Sequence, residues 1–409
     1  MEFPLHNYLK SLRDSGARAE YIRAIRRNAQ PLVDCGLPVV LTLGHLAHTT
    51  DVSHGLLTDI IKRQIDPYRV FAIRKRSGGK RFICVPEKGL LTVQRWIHKE
   101  ILCAPVALRK LSCHATAYAP LSSHIANAKR HIGAAWILKL DITRFFESVS
   151  ERQVYRVFRS LGYRALVAFC LTRLCTRVLP STVDHRQRLR TKRWRTGDQH
   201  RFRRKLRDAQ GWPEETTPFS GARVVGHLPQ GAPTSPMLAN LVCVKLDADL
   251  QEIAIREGLV YTRYADDMTF SGEVVDRAAA IRISREISIA VGHYGFGINL
   301  QKTSIAKNGG RKIVTGLSVD GNVVRLPRAY KDAIRQELFY LDKHGIQEHC
   351  SRTGHKNHLS YLLRLAGRIR YVISIEPVNG QRMMGKFLRI FPTFLETEQM
   401  VAQEFDEDA

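Results

Sequence analysis

In the stretch TRYADDMTFSG, residues 262–272, two carboxylates, Asp266 and Asp267, stand side by side inside an otherwise apolar, strand-like run. Adjacent anions on a strand repel one another unless a cation answers them, and ligands that are all oxygen suit a hard divalent ion such as Mg²⁺. Tyr264 leads into the pair, and Met268 and Phe270 alternate onto one face beyond it. That pattern predicts a hairpin with the acids at its tip. A second apolar strand, ILKLDITRFF, carries a further carboxylate, Asp141. Three carboxylates from two strands suit two-metal phosphoryl transfer. Two ions about 3.5–4 Å apart share a carboxylate, the attacking hydroxyl being activated at one and the leaving pyrophosphate stabilised at the other. The protein's own share is positioning and charge stabilisation.

The rest of the chain must position these acids and attract their substrate. Its 409 residues suggest two or three domains, and its 44% hydrophobic content excludes a disordered chain. Lys and Arg total 64 against 38 Asp and Glu, a net charge of +26. Such a field attracts polyanions, nucleic acid first and an anionic membrane surface second. The basic residues are spread along the chain and not gathered on one amphipathic helix, which argues against the membrane. No apolar run approaches the roughly 20 residues of a spanning helix. The start, MEFPLHNYLKSLRD, lacks the apolar core of a secretory signal. The eight cysteines form no CxxC pair, so reduced thiols and a cytoplasmic location are expected.

The first seventy residues carry helical spacing, with Asp51 or Ser53 as a cap for the helix that follows them. YRVFAIRKRSGGKRFICVPE reads as a β-hairpin with Arg74, Lys75, Arg76, Lys80 and Arg81 around its tip. A helix with Leu90, Val93, Ile97 and Ile101 on one stripe follows. Residues 178–223 break the pattern with the almost solidly basic DHRQRLRTKRWRTGDQHRFRRKLRD and read as an insertion between core elements, most simply an RNA-binding arm. LPQGAPTSP is a loop feeding a helix, and GINLQKTSIA reads as a strand. A helix with Ile283, Ile287 and Val291 in register should stop at Gly292, and a hairpin is expected around Asp320-Gly321. His344, His349, Cys350, His355 and His358 fit no usual zinc spacing and read as a solvated helix connection. From Pro327 onward the chain is helical and basic.

YADD, LKLDITRFF and LPQGAPTSP, in the order Asp, Pro-Gln-Gly, Asp-Asp, resemble the motifs of reverse transcriptases. The resemblance narrows to retron reverse transcriptases through an N-A-x-x-H motif, here Asn127 to His131, and a V-T-G motif, here Val314, Thr315 and Gly316. It implies an α+β right-hand fold: N-terminal helices and fingers over 1–135, an antiparallel-sheet palm over 136–318, and a helical thumb over 319–409. It implies Asp141, Asp266 and Asp267 as catalytic acids and ligands of two Mg²⁺ ions, with the Ile142 carbonyl as a further ligand. Phe146 would be the steric gate beneath the incoming sugar, with Phe145 as the alternative. Gln230 would contact the nucleotide, with Gly231 allowing close backbone approach. Lys75 and Arg81 would grip the triphosphate, and Lys302 would protonate or screen the departing pyrophosphate. Asn127, His131, Val314, Thr315 and Gly316 would bind RNA.

The function implied is RNA-directed DNA synthesis from deoxynucleoside triphosphates. The template would be a self-priming structured non-coding RNA. Synthesis in that family begins at the 2′-hydroxyl of a guanosine and gives a branched RNA–DNA product (msDNA). A role in anti-phage defence beside a separate effector protein is expected, since little chain follows the thumb. The rival readings are another bacterial reverse transcriptase, group II intron-like or defence-associated, and a non-catalytic RNA-binding scaffold that keeps a polymerase fold.

Overall fold

The computed structural model describes residues 4–74, 78–178, 218, 225–273, 277–307, 309–396 and 398–399. Lys75 and nearly all of the basic insertion lie outside the described residues. The chain divides into two compact units. One comprises Met1–Ser123, Leu138–Phe270 and Val275–Ile305; the other comprises His124–Ile137, Ser271–Val274 and Ala306–Ala409.

The first unit opens with four helices: α1 (Leu5–Asp14), α2 (Ala19–Asp34), α3 (Leu43–Thr50) and α4 (His54–Ile61). Ser53 takes the N-cap position of α4, whereas Asp51 ends α3 in the left-handed region at φ 52°. A short polar side chain tolerates that conformation better than most, so Asp51 closes a helix instead of opening one. Strands β1 (Tyr68–Arg74) and β2 (Lys80–Pro86) pair antiparallel from Tyr68↔Pro86 to Arg74↔Lys80, as the turn chemistry predicts. Helix α5 (Lys88–Trp96) runs on into a π-helical turn over Ile97–Leu102. The wider turn brings Ile97, Ile101 and Leu102 inward together, each fully buried.

The central sheet has the order β4-β5-β3-β6, built from β3 (Trp136–Asp141), β4 (Val260–Tyr264), β5 (Asp267–Gly272) and β6 (Ser304–Ala306). Strand β6 is shorter than GINLQKTSIA suggests, because residues around Asn299 to Lys302 form a turn. Around the sheet lie α6 (Pro105–Leu108), α8 (Phe145–Ser148), α9 (Glu151–Ser160), α10 (Ala165–Cys175), α11 (Ser235–Val242), α12 (Val244–Arg256) and α13 (Arg277–His293). Helix α9 starts in a capping box of Ser150 and Gln153. Ile283, Ile287 and Val291 of α13 are buried, but the helix passes through Gly292. The left-handed residue that turns the chain is Gly295, at φ 82°. Arg177 and His227, which flank the insertion, exchange both backbone hydrogen bonds at 3.0 Å.

The second unit comprises α7 (His124–Lys129), β7 (Ile313–Val314), β8 (Leu317–Ser318), α14 (Arg328–Thr353), α15 (His358–Ile375) and α16 (Pro377–Ile390). Its core gathers Val314, Leu317, Ile334, Leu338, Leu365 and Phe387. The tight hairpin turns at Thr315–Gly316, not at Asp320-Gly321. A two-residue loop of this kind needs positive φ at both positions. Gly316 supplies 84° freely, and Thr315 is held at 46° with its Oγ1 donating to the His124 carbonyl at 2.9 Å. Asp320-Gly321 lies in a wider loop closed by the Ser318–Arg325 bridge. His355 and His358 are exposed, but His349 and Cys350 are buried, with the His349 ring hydrogen-bonded to the Tyr361 hydroxyl at 2.9 Å. The solvated connection is therefore partly core.

Candidate active site

Strand β3 delivers Asp141 at its last residue, and one strand away the β4–β5 turn delivers Asp266 and the first residue of β5 is Asp267. The Ile142 N–H donates to the Asp266 carbonyl at 2.9 Å, which holds the two strand ends level. On the other side, the Thr143 N–H donates to the Gly297 carbonyl at 2.7 Å and the Asn299 N–H to the Asp141 carbonyl at 2.8 Å. The turn beyond Asn299 then aims Lys302 back, and its Nζ lies 2.8 Å from Asp141 Oδ2. The structure thus brings together Asp141, Ile142, Asp266, Asp267 and Lys302.

Burial, then the charges of Asp141 and Asp267, push the Asp266 carboxyl up to about 6. Burial also raises Asp267, against the pull of Lys139. The hydrogen bond to Asp141 raises Lys302 above the usual lysine range. With Asp266 and Asp267 both resisting ionisation, Asp141, Asp266 and Asp267 are the oxygen ligands that could hold a hard divalent cation. Among the described residues no three acids, histidines or cysteines already converge as a ready metal cage. Lys302 supplies the positive charge beside Asp141 instead.

The sign of the pH dependence follows. Asp266 binds its proton more tightly folded than unfolded, so its cost is absent below about 4 and is fully present above about 6. Asp266→Asn should therefore raise the melting temperature of the metal-free protein at pH 7.5, by a stabilisation on the order of 2 kcal/mol. The gain should vanish near pH 4. Thermal unfolding in EDTA across this range checks it, and a gain that persisted at pH 4 would contradict it.

Phe145 is buried and Phe146, the next residue of the short helix α8, is half-exposed, so only Phe146 faces outward. The ring of Tyr118 lies 6.1 Å from it. The Gln230 carbonyl accepts from the Cys84 N–H of β2 at 2.7 Å. Gly231 follows at φ 112°, where an added Cβ would stand 2.8 Å from Ile83 Cγ2 and 3.0 Å from the Cys84 carbonyl. The close approach that demands glycine is thus to β2. Gly231→Ala should shift this loop and lower kcat/KM for deoxynucleotides on the order of 10- to 100-fold, since small misplacements are costly in a positioned site. Steady-state extension assays check this; a change under twofold would mean that the loop does not position substrate. Arg81 is exposed on β2.

The residues expected to touch RNA are placed differently. Asn127, His131 and Val314 are buried. His131 Nδ1 shares a 2.7 Å hydrogen bond with Ser271 Oγ, and burial and Arg130 push its pKa down to about 4, so the ring is neutral. Thr315 ties its turn to α7 through the His124 carbonyl, and Gly316 alone is exposed. The two motifs meet in one interior, with Ala128 and Val314 in the same core.

Three residues escaped the motif reading. Arg263 and Asp247 form an ion pair at 2.7 Å with both side chains fully buried, and Asn240 joins them. An arginine inside the strand YTRY was the available signal, because a buried arginine requires a partner.

The family model for Reverse transcriptase (RNA-dependent DNA polymerase) matches residues 73–341. The chain is 28% identical over 381 residues to the Retron Ec86 reverse transcriptase of Escherichia coli, covering 90% of this chain and 98% of that protein. It is 29% identical over 377 residues to the Retron Mx65 reverse transcriptase of Myxococcus xanthus, covering 90% and 76%. A telomerase structure from Candida albicans, in complex with a telomeric RNA fragment, aligns at 12% identity and TM-score 0.42, covering 84% of this chain and 65% of that one. No helix among the described residues is long and apolar enough to cross a membrane.

Proposed function

The chain belongs to the reverse transcriptase family, its relatives there being retron enzymes, and from that premise we propose that it copies part of a structured non-coding RNA into a branched RNA–DNA (msDNA). The protein is an RNA-directed DNA polymerase with the polymerase fold of that family, acting on an RNA template and nucleotides and dependent on a divalent metal. The observation that carries the finer reading is likeness to a retron enzyme over 98% of that enzyme's length, with three acids at adjoining strand ends.

In this reading Asp141, Asp266 and Asp267 hold two Mg²⁺ ions, aided by the Ile142 carbonyl. The ions supply activation of the attacking hydroxyl and charge stabilisation of the pyrophosphate. Lys302, already protonated beside Asp141, is in reach of the departing pyrophosphate when it leaves that partner. Phe146 lies under the sugar, Gln230 and Gly231 line the nucleotide, and Lys75 and Arg81 grip the triphosphate. Residues 1–135 act as N-terminal helices and fingers, 136–318 as palm and 319–409 as thumb. The interlocked N-A-x-x-H and V-T-G motifs shape the RNA-binding surface from beneath. The basic insertion adds phosphate contacts with little sequence information. The setting is cytoplasmic anti-phage defence, beside a separate effector protein.

Sequencing the nucleic acid that copurifies with the protein tests the proposal. A DNA covalently joined to one structured RNA is the expected product. Unbranched DNA, or RNA alone from an active polymerase, would assign the chain to another class of bacterial reverse transcriptase.

A further inference from the structure

Tyr118 is an aromatic side chain with no assigned part. It is 43% exposed, and its backbone sits at φ 66°, a region that side-chain-bearing residues rarely adopt. Strain of this kind persists only where the surroundings impose it. Here they do so from both sides. The segment before Tyr118 runs beside β4: the Arg263 N–H donates to the His114 carbonyl at 2.8 Å, and the Thr116 N–H donates to the Arg263 carbonyl at 2.8 Å. The Ala117 carbonyl, one residue short of Tyr118, accepts from Asn240 Nδ2 at 2.7 Å. On the far side the Tyr118 ring lies against Phe146, with centroids 6.1 Å apart and planes at 47°.

Asn240 is fully buried, and its orientation is set by Arg263, whose Nη1 donates to Asn240 Oδ1 at 3.1 Å. The same Nη1 donates to the Ala265 carbonyl at 3.1 Å. Ala265 is the residue before Asp266 and is itself held at φ 58°. Arg263 Nε and Nη2 each lie 2.7 Å from a carboxylate oxygen of Asp247, so the guanidinium cannot rotate. Its Cζ also stands 5.7 Å from the centroid of the Phe145 ring, the neighbour of Phe146. One buried cation therefore braces the turn that carries the acid pair and, through Asn240, the segment that carries Tyr118.

We propose that Tyr118 is a specificity-determining residue that holds the Phe146 ring beneath the incoming sugar, and that Arg263 and Asn240 are positioning residues that set this aromatic pair and the Ala265–Asp266 turn together. The inference rests on the reading of Phe146 as the sugar gate. A purely structural role for the buried network would lower stability and activity without altering the choice between sugars.

The test is the ratio of kcat/KM for a deoxynucleotide to that for the matching ribonucleotide, measured on one template by the full-length protein. Tyr118→Ala, a change at a surface position, should lower the ratio roughly three- to tenfold, the worth of an aromatic pair. Tyr118→Phe should restore it. Asn240→Asp keeps an acceptor for Arg263 but removes the donor to Ala117, and should lower the ratio in the same direction. Combining Tyr118→Ala with Phe146→Ala should lower it no further than Phe146→Ala alone, because Tyr118 acts through that ring. Arg263→Lys keeps a charge beside Asp247 but cannot make all four bonds, and should lower kcat and the ratio together. If that variant fails to fold, Tyr118→Ala and Asn240→Asp decide. A ratio unchanged in both, while Phe146→Ala shifts it, would overturn this inference and leave the gate standing. A ratio unchanged in Phe146→Ala would overturn the gate and this inference with it.

Discussion

Asp266→Asn is expected to cut DNA synthesis at least about 10³-fold while RNA affinity stays within about twofold. Losing one charged ligand from a site of this kind removes several kcal/mol of transition-state stabilisation, and each 1.36 kcal/mol is a factor of ten. The substitution keeps size and shape, so the turn at Ala265 and the bond from Ile142 to the Asp266 carbonyl should survive it. RNA affinity is expected to come instead from the basic surfaces of a chain with net charge +26. Single-turnover incorporation and a filter-binding curve at fixed salt separate the two effects. Near-normal incorporation would remove Asp266 from the metal site. The same variant is expected to be more stable than the parent without metal, so a loss of activity could not be ascribed to unfolding.

Phe146→Ala is the second large effect. It should lower the preference for deoxynucleotides over ribonucleotides by roughly 10- to 100-fold, the change coming from better use of ribonucleotides. The sugar's 2′-hydroxyl would then enter space that the ring fills, and steric exclusion by one group is worth about 1–3 kcal/mol. Phe145 is the internal control, because it is buried beside Phe296 and cannot face a sugar without moving. If Phe146→Ala left the preference unchanged, the outward ring would have no part in sugar choice.

The candidate site was legible in the sequence because it draws on few, unusual residues. Two acids within an apolar strand have few explanations, and Asp141 closes a strand whose apolar run is visible by eye. The stripe Leu90, Val93, Ile97 and Ile101 also reads directly, although its last turn is π-helical. What the sequence hid depends on tertiary placement. Gly292 carries stop chemistry, yet the helix runs to His293 and Gly295 takes the left-handed turn; Asp320-Gly321 does sit where the chain reverses, but in a wide loop, with the two-residue turn at Thr315–Gly316 before it. His131 and Asn127 have polar side chains that suit RNA contact, but burial in the second unit places them inside. Arg263 looks like one more basic residue among 64 until its four hydrogen bonds reach three partners, two on other elements and one in the turn that carries Asp266.

The most direct test of the account supplies the purified protein, freed of nucleic acid, with an unextended transcript of the RNA it copurifies with, Mg²⁺ and one radiolabelled deoxynucleoside triphosphate. Label should become covalently attached to the RNA through a 2′-oxygen, giving an alkali-resistant branched nucleotide, and no label should attach with Asp266→Asn. Label joined only to 3′-ends, or attached equally by the Asp266→Asn protein, would contradict it.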